Sequence, residues 1–260
     1  MTYQHLTLTS SPASPRLLTV RLNRPQARNA LSSALMRELT RLARETAERT
    51  DVDAVILTGN ATCFTAGVDL KEGRSWLGDD QPLVQRREAA AIGYRMCQAW
   101  EAMPQITIVA IEGYAVGGGL ALSLACDWRV LADNAFVSLP EIALAIPLTW
   151  GAIPRLVSLV GPARAKRLTI LCERIGAAEA LSLGLVDLTA PPGQALARAE
   201  ALAAQALAMP AAAVRMSKET INAVATALHH LGGHMAHDQI ALAAASAEAG
   251  QARASALPRR

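Results

Sequence analysis

Two runs in this chain hold only apolar or β-branched residues and are too short to be helices. Ala54-Val55-Ile56-Leu57-Thr58, entered at Asp53 and closed by Gly59, is one; Ile106-Thr107-Ile108-Val109-Ala110-Ile111, followed by Gly113, is the other. Uninterrupted β-branched and apolar residues over five or six positions read as strands buried on both faces. Such strands need helices above and below, and the intervening sequence supplies them. Leu31, Leu35, Leu39, Leu42 and Ala43 follow helical spacing to about Arg49, and Leu83 to Trp100 is helical again. Upstream, 6–9 and 17–22 read as a hairpin around a Ser/Pro-rich loop. Downstream, a helix from Gly119 to Cys126 precedes strands at 128–132 and 135–138. The alternation predicts an α/β core. Beyond Pro191 only helical patterns remain, punctuated by Pro210 and Gly232-Gly233. The chain therefore reads as a core over residues 1–190 and a helical C-terminal extension over 191–260, which buries its stripe on the same chain or a neighbour.

Composition removes several function classes. Apolar residues make up 52% of the 260 positions, yet no uncharged apolar run is long enough to span a membrane. The first residues show neither a basic leader nor an apolar signal core, so a cytoplasmic protein is expected. Cys63, Cys97, Cys126 and Cys172 are far apart, with no Cys-x-x-Cys, and read as reduced thiols. A net charge of +3, spread along the chain, with two Phe and three Tyr, gives no nucleic-acid signature.

Two segments carry candidate chemistry. Phe64-Thr65-Ala66-Gly67-Val68-Asp69-Leu70 and Gly113-Tyr114-Ala115-Val116-Gly117-Gly118-Gly119 each follow a buried strand. Small residues there let a ligand approach the backbone, with N–H groups free to face developing negative charge. Taken alone, the glycine triplet is also the mark of a tight, closely packed strand-to-helix turn. It matches neither the dinucleotide Gly-x-Gly-x-x-Gly pattern nor a P-loop, and the chain contains no Gly-x-Ser-x-Gly elbow.

Read together and in order, Leu22-Asn23-Arg24-Pro25, Asn29-Ala30-Leu31, the Ala66–Leu70 loop, the Gly113–Gly119 segment, Ala125-Cys126-Asp127 and Pro140-Glu141 resemble the crotonase superfamily, the enoyl-CoA hydratase/isomerase family, from about Leu17 to Leu188. The resemblance implies a spiral of strands and helices, an acyl-CoA thioester substrate with coenzyme A as part of that substrate, no separate cofactor, no metal, and a homotrimer or dimer of trimers. It implies that the N–H groups of Val68 and Gly118 form an oxyanion hole and that Glu141 is the catalytic acid–base group. It implies a coenzyme A path along Ala27, Ala66, Gly67, Asp69, Leu70 and Lys71, with Tyr114, Gly117, Pro140, Thr149 and Trp150 around the substrate. Thr149 and Trp150 fall in a loop that shapes the acyl pocket, and Lys218 is a candidate to reach a phosphate. The C-terminal helices would serve oligomerisation and closure of the coenzyme A site.

One departure from the family pattern stands out. The hydratases carry a second catalytic glutamate two residues past the glycine triplet, where this chain has Ala121. Glu141 itself also fits a helix capping box with Ser138, although Pro147 follows too soon for a good helix. Beside Ile142, Leu144 and Ile146 it is expected to be half-buried with a raised pKa. Asp69 and Asp127 read as structural. His229, His230, His234 and His237, with Asp238, are interrupted by Gly232-Gly233 and read as surface rather than ligands. One carboxylate and two N–H donors suffice for a Δ3-to-Δ2 enoyl-CoA isomerase. Other thioester enolate reactions (hydration, decarboxylation, hydrolysis) and a non-catalytic acyl-CoA-binding homologue remain alternatives.

Overall fold

The computed structural model describes residues 2–12, 14–72 and 82–227, together with 229, 238, 239, 242 and 243. Two sheets share the chain. The larger has the order β1 (Leu6–Ser11), β2 (Ser14–Leu22), β3 (Ala54–Thr58), β4 (Ile106–Ile111), β6 (Trp128–Ala132), β9 (Leu188–Ala190). Only β1 and β2 pair antiparallel; every later neighbour is parallel. The two apolar runs are its central strands β3 and β4, buried at every position. The smaller sheet joins three-residue strands β5 (Tyr114–Val116), β7 (Phe136–Ser138) and β8 (Arg174–Gly176).

Helices cover these sheets for reasons visible in their residues. The helix α1 (Ser33–Ala47) starts where the Ser32 hydroxyl accepts the N–H of Leu35, at 3.2 Å, and buries Leu35, Met36, Leu39, Leu42 and Ala43. The segment expected to be helical from Leu83 to Trp100 forms two helices, α2 (Leu83–Ala90) and α3 (Ile92–Glu101), joined at Ala91. The short α4 (Gly118–Leu124) is buried throughout. Next come α5 (Ala152–Ile170), interrupted at Gly161 and Pro162, and α6 (Ala177–Leu183).

The C-terminal segment is not a detached appendage at its start. The helix α7 (Ala195–Leu207) lies on β3, β4, β6 and β9, with Ala195, Ala199 and Ala203 buried against them. Its first turn is tied to the end of β4 by the Glu112 carboxylate, which accepts the N–H groups of Gly193 and Ala195 at 3.0 and 2.9 Å. A carboxylate at that end complements the helix dipole. The next helix, α8 (Ala211–Ala225), buries only Lys218 and leaves Met216, Ile221 and Val224 exposed. No helix among the described residues is long and apolar enough to cross a membrane.

Lys218 is the anchor of α8. Its ammonium donates to Asp127 Oδ2 and to the carbonyl of Gln105, both at 2.6 Å. The expectation that Lys218 reaches for a phosphate is corrected here, because a buried ammonium with these two partners is held inside the fold. Asp127 also accepts from the Thr107 N–H and hydroxyl, so it joins the start of β4 to that of β6. Lys218→Met should destabilise the protein by about 3 kcal/mol in urea unfolding, the scale for breaking a buried ion pair. A loss under about 1 kcal/mol would mean that other contacts hold α8.

Candidate active site

The candidate site lies beyond the carboxyl ends of β3 and β4, where parallel sheets usually bind their ligands. Two loops meet there and are laced together by their main chains. Phe64 and Thr65 donate to the Tyr114 carbonyl, and Val116 donates back to the Thr65 carbonyl at 3.2 Å. A third strand of chain joins them: Leu31 donates to the Gly67 carbonyl at 2.8 Å, and Asp69 donates to Leu31 at 3.1 Å.

Asn29 organises this knot from the inside. It is fully buried and left-handed, at φ +53°, a conformation that asparagine tolerates better than most residues. Its side chain accepts the N–H of Arg24 at 2.9 Å and donates to the Phe64 carbonyl at 3.1 Å. Its own carbonyl takes the Thr65 hydroxyl at 2.7 Å, and that hydroxyl oxygen accepts the Gly67 N–H. Arg24 in turn pairs with Asp69 at 3.0 Å, while Asp69 Oδ1 accepts the N–H of Lys71. Asp69 thus braces the loop.

The glycines are required by close approach. A Cβ on Gly67 would stand 2.6 Å from the Val116 carbonyl oxygen, and Gly67 is left-handed at φ +87°. Each member of the triplet is confined by a different side chain: Gly117 by the carboxylate of Glu141, Gly118 by the indole of Trp150, and Gly119 by the methyl of Thr65. Gly117 donates its N–H to the Ser138 carbonyl at 2.9 Å. Gly118, the first residue of α4, has an N–H with no helical acceptor. Among the described residues neither that group nor the N–H of Val68 has a main-chain acceptor.

Both donors border one cavity of about 340 Å³, which also takes in Ala66, Gly67, Leu70, Gly117, Ala121, Pro140, Glu141, Thr149 and Trp150. Val116, Leu144, Ile146, Pro147 and Leu148 complete an apolar wall. Of these only Leu144 and Ile146 are anticipated by sequence reasoning as neighbours of Glu141. Val116 lies within the Gly113–Gly119 segment and Leu148 adjoins Thr149, and that adjacency is the signal that finds them. Four expected site residues stand apart from the cavity. Ala27 sits on the 3-10 turn at Pro25–Ala27, Asp69 is held by Arg24, Lys71 is exposed, and Tyr114 stacks on Phe136 with ring centroids 5.6 Å apart.

Glu141 is the one titratable side chain among the described lining residues. The capping-box alternative is not what forms: Glu141 precedes a 3-10 turn, Ile142–Leu144, without capping it through its side chain. Its Oε2 is buried with no hydrogen-bond partner among the described residues. Burial pushes its pKa up from 4.5 to about 7, and a hydrogen bond with its own main chain offsets only part of that. Ala121, 1% exposed, presents a methyl group at the same cavity. Of the histidine group, His229 hydrogen-bonds Ser158 at 3.0 Å and Asp238 pairs with Arg87 at 2.8 Å. His230, His234 and His237 lie outside the described residues.

Comparison with known proteins agrees with this architecture. The family profile for enoyl-CoA hydratase/isomerase matches residues 13–249. YngF of Bacillus subtilis, whose name places it among the enoyl-CoA hydratase/isomerases, is 41% identical over 204 residues, covering 78% of this chain and 76% of its own. The crotonyl-CoA hydratase of Syntrophomonas wolfei is 32% identical over 223 residues, 85% of this chain and 83% of its own. Among solved structures, the enoyl-CoA hydratase of Bacillus anthracis superposes with a TM-score of 0.79 at 36% identity, covering 92% of this chain and 90% of that one. The strands and helices described above are the expected crotonase-type α/β spiral, and the chain belongs to the enoyl-CoA hydratase/isomerase family.

Proposed function

We propose that this member of the family moves a double bond, converting a 3-enoyl-CoA thioester to the 2-enoyl isomer with Glu141 as the sole acid–base group. The observation that carries the reading is the lone carboxyl in the cavity, half-buried with Oε2 out of solvent and a pKa raised to about 7. The thioester carbonyl would accept from the N–H groups of Val68 and Gly118. Each such donor typically contributes roughly 3–4 kcal/mol once the oxygen carries enolate charge. The Glu141 carboxylate takes a proton from C2, the electron pair spreads through the dienolate, and the same carboxyl returns the proton at C4. Coenzyme A enters as part of the substrate, and no separate cofactor or metal takes part. Water addition to a 2-enoyl thioester is the second reading, favoured by the hydratase names of the relatives. It asks for a water held by more than one acceptor, and Ala121 supplies none.

Incubation with a 3-enoyl-CoA and, separately, a 2-enoyl-CoA distinguishes the two readings by the position of the double bond and any 3-hydroxy product. Glu141→Gln should lower the isomerisation rate by roughly 10²–10⁴-fold with little change in acyl-CoA affinity, and unimpaired turnover would place the base elsewhere. In the wild type, kcat/KM should rise with pH to a plateau, with a midpoint near 7, because only the carboxylate accepts a proton.

The same carboxyl ties stability to pH. Its folded pKa, about 7, exceeds the ordinary 4.5, so the native state holds the proton more tightly than the unfolded chain. Stability from this group is complete below 4.5 and declines as pH rises to 7. Above that range Glu141→Gln should therefore be more stable than wild type by about 3 kcal/mol, an advantage absent at low pH. Equal denaturation midpoints at neutral pH would show that the carboxyl is not desolvated. Ala121→Glu should add measurable hydration of a 2-enoyl-CoA, and its complete failure to do so would mean that position 121 does not gate water. The exposed Met216, Ile221 and Val224 of α8 fit a homotrimer or dimer of trimers. Light scattering that shows a stable monomer at micromolar concentration would sink that assembly.

A further inference from the structure

Trp150 is a non-glycine residue in the left-handed region, at φ +59°, followed by Gly151 at φ +68°. A bulky residue holds such a backbone only where its surroundings impose it. Its indole fills a slot between Gly93 of α3 and Gly118 of α4, and a Cβ on either glycine would overlap the ring. The indole thus packs directly on the backbone that carries one of the two free donors. Arg155, 5% exposed, holds this arrangement. Its Nη1 donates to the Trp150 carbonyl at 2.9 Å. Its Nε and Nη2 form a two-pronged pair with Glu101 Oε1 and Oε2, each at 2.7 Å. Gly151 leaves room for that contact, since a Cβ there would stand 2.8 Å from Nη1. Glu101 and Gly93 belong to the same helix, so α3 both grips the guanidinium and backs the indole.

We propose that Arg155 is a positioning residue of the thioester site: anchored on Glu101, it fixes the carbonyl of Trp150 and, through the indole, the orientation of the Gly118 N–H. The proposal rests on the reading of Val68 and Gly118 as thioester donors. Arg155 touches neither substrate nor Glu141 and does its work by holding the left-handed turn. A lysine at 155 keeps the charge opposite Glu101. Its single ammonium lacks the planar fork that serves both carboxylate oxygens and the Trp150 carbonyl at once.

The probe is cinnamoyl-CoA, whose conjugated thioester absorbs at longer wavelength when donors polarise its carbonyl. Wild-type protein should red-shift the bound probe, and Arg155→Lys should lose at least about half of that shift. The same variant should cut kcat for 3-enoyl-CoA roughly tenfold or more while KM changes less than about threefold, as misplacement of a donor predicts. Trp150→Gly removes the ring and the backbone strain together, and in that background Arg155→Lys should change neither shift nor kcat further. Should Arg155→Lys fold poorly, Gly151→Ala disturbs the same contact with the ion pair intact and should reproduce the lost shift. A red shift in wild type that both Arg155→Lys and Gly151→Ala leave intact would overturn this proposal alone. So would an equal effect of Arg155→Lys with and without Trp150. No red shift in wild type would overturn the donor reading and this proposal with it.

Discussion

The candidate site turns on two backbone N–H groups at one cavity, those of Val68 and Gly118, that have no main-chain acceptor among the described residues. Two different devices achieve this. Val68 lies between Gly67, whose carbonyl is taken by Leu31, and Asp69, whose N–H is given to Leu31. A parallel bridge uses the groups flanking its central residue, so the N–H of Val68 is left off the ladder. Gly118 opens a helix, where the first N–H groups have no preceding carbonyl. An unsatisfied buried donor costs roughly 1–3 kcal/mol, and a ligand oxygen that binds both recovers that cost. The knot around Asn29 and Thr65 holds the two devices side by side.

Three acidic residues in family motifs meet three environments, and the environment decides what each can do. Asp69 faces the Arg24 guanidinium and the N–H of Lys71. Asp127 accepts from Thr107 and Lys218. Asp69 has both oxygens occupied, and Asp127 gathers three donors on Oδ2 alone, one of them a buried ammonium. Glu141 faces Gly117, Leu144 and Ile146, and one of its oxygens has no donor among the described residues. Burial without compensating partners pushes the Glu141 carboxyl toward neutral pH, where a proton can be taken and returned.

What could be read in advance follows the length scale of each signal. The central strands were legible because five or six consecutive apolar residues leave little choice, and α1 because its stripe is regular. The loops of the site were legible as a set of motifs. The smaller sheet was legible only in its middle strand, expected at 135–138, since strands of three residues such as Tyr114–Val116 and Arg174–Gly176 carry no periodicity. The burial of Lys218 was hidden because a lysine on a helix reads as solvated until its long-range partners are known. Trp150 reads as part of the acyl pocket, but its left-handed backbone has no local signal, for tryptophan has no preference for that region. Arg155 gives no local signal for a related reason: its three partner atoms come from residues Glu101 and Trp150, and 54 positions separate the first from it.

The placement of α7 bears on how the protein is made. Strands β1 to β4 are laid side by side in the order in which they are synthesised, so much of the main sheet can pair as the chain emerges. Its last parallel edge, β9, and the alanines of α7 that cover β3 and β4 arrive only after residue 187. Until then, apolar surface that is dry in the finished fold remains wet, and an unpaired strand edge stands open beside β6. The last part of the chain is thus what closes the nascent sheet, and a chain that ended before Leu188 would leave both the β6 edge and the face under α7 uncovered.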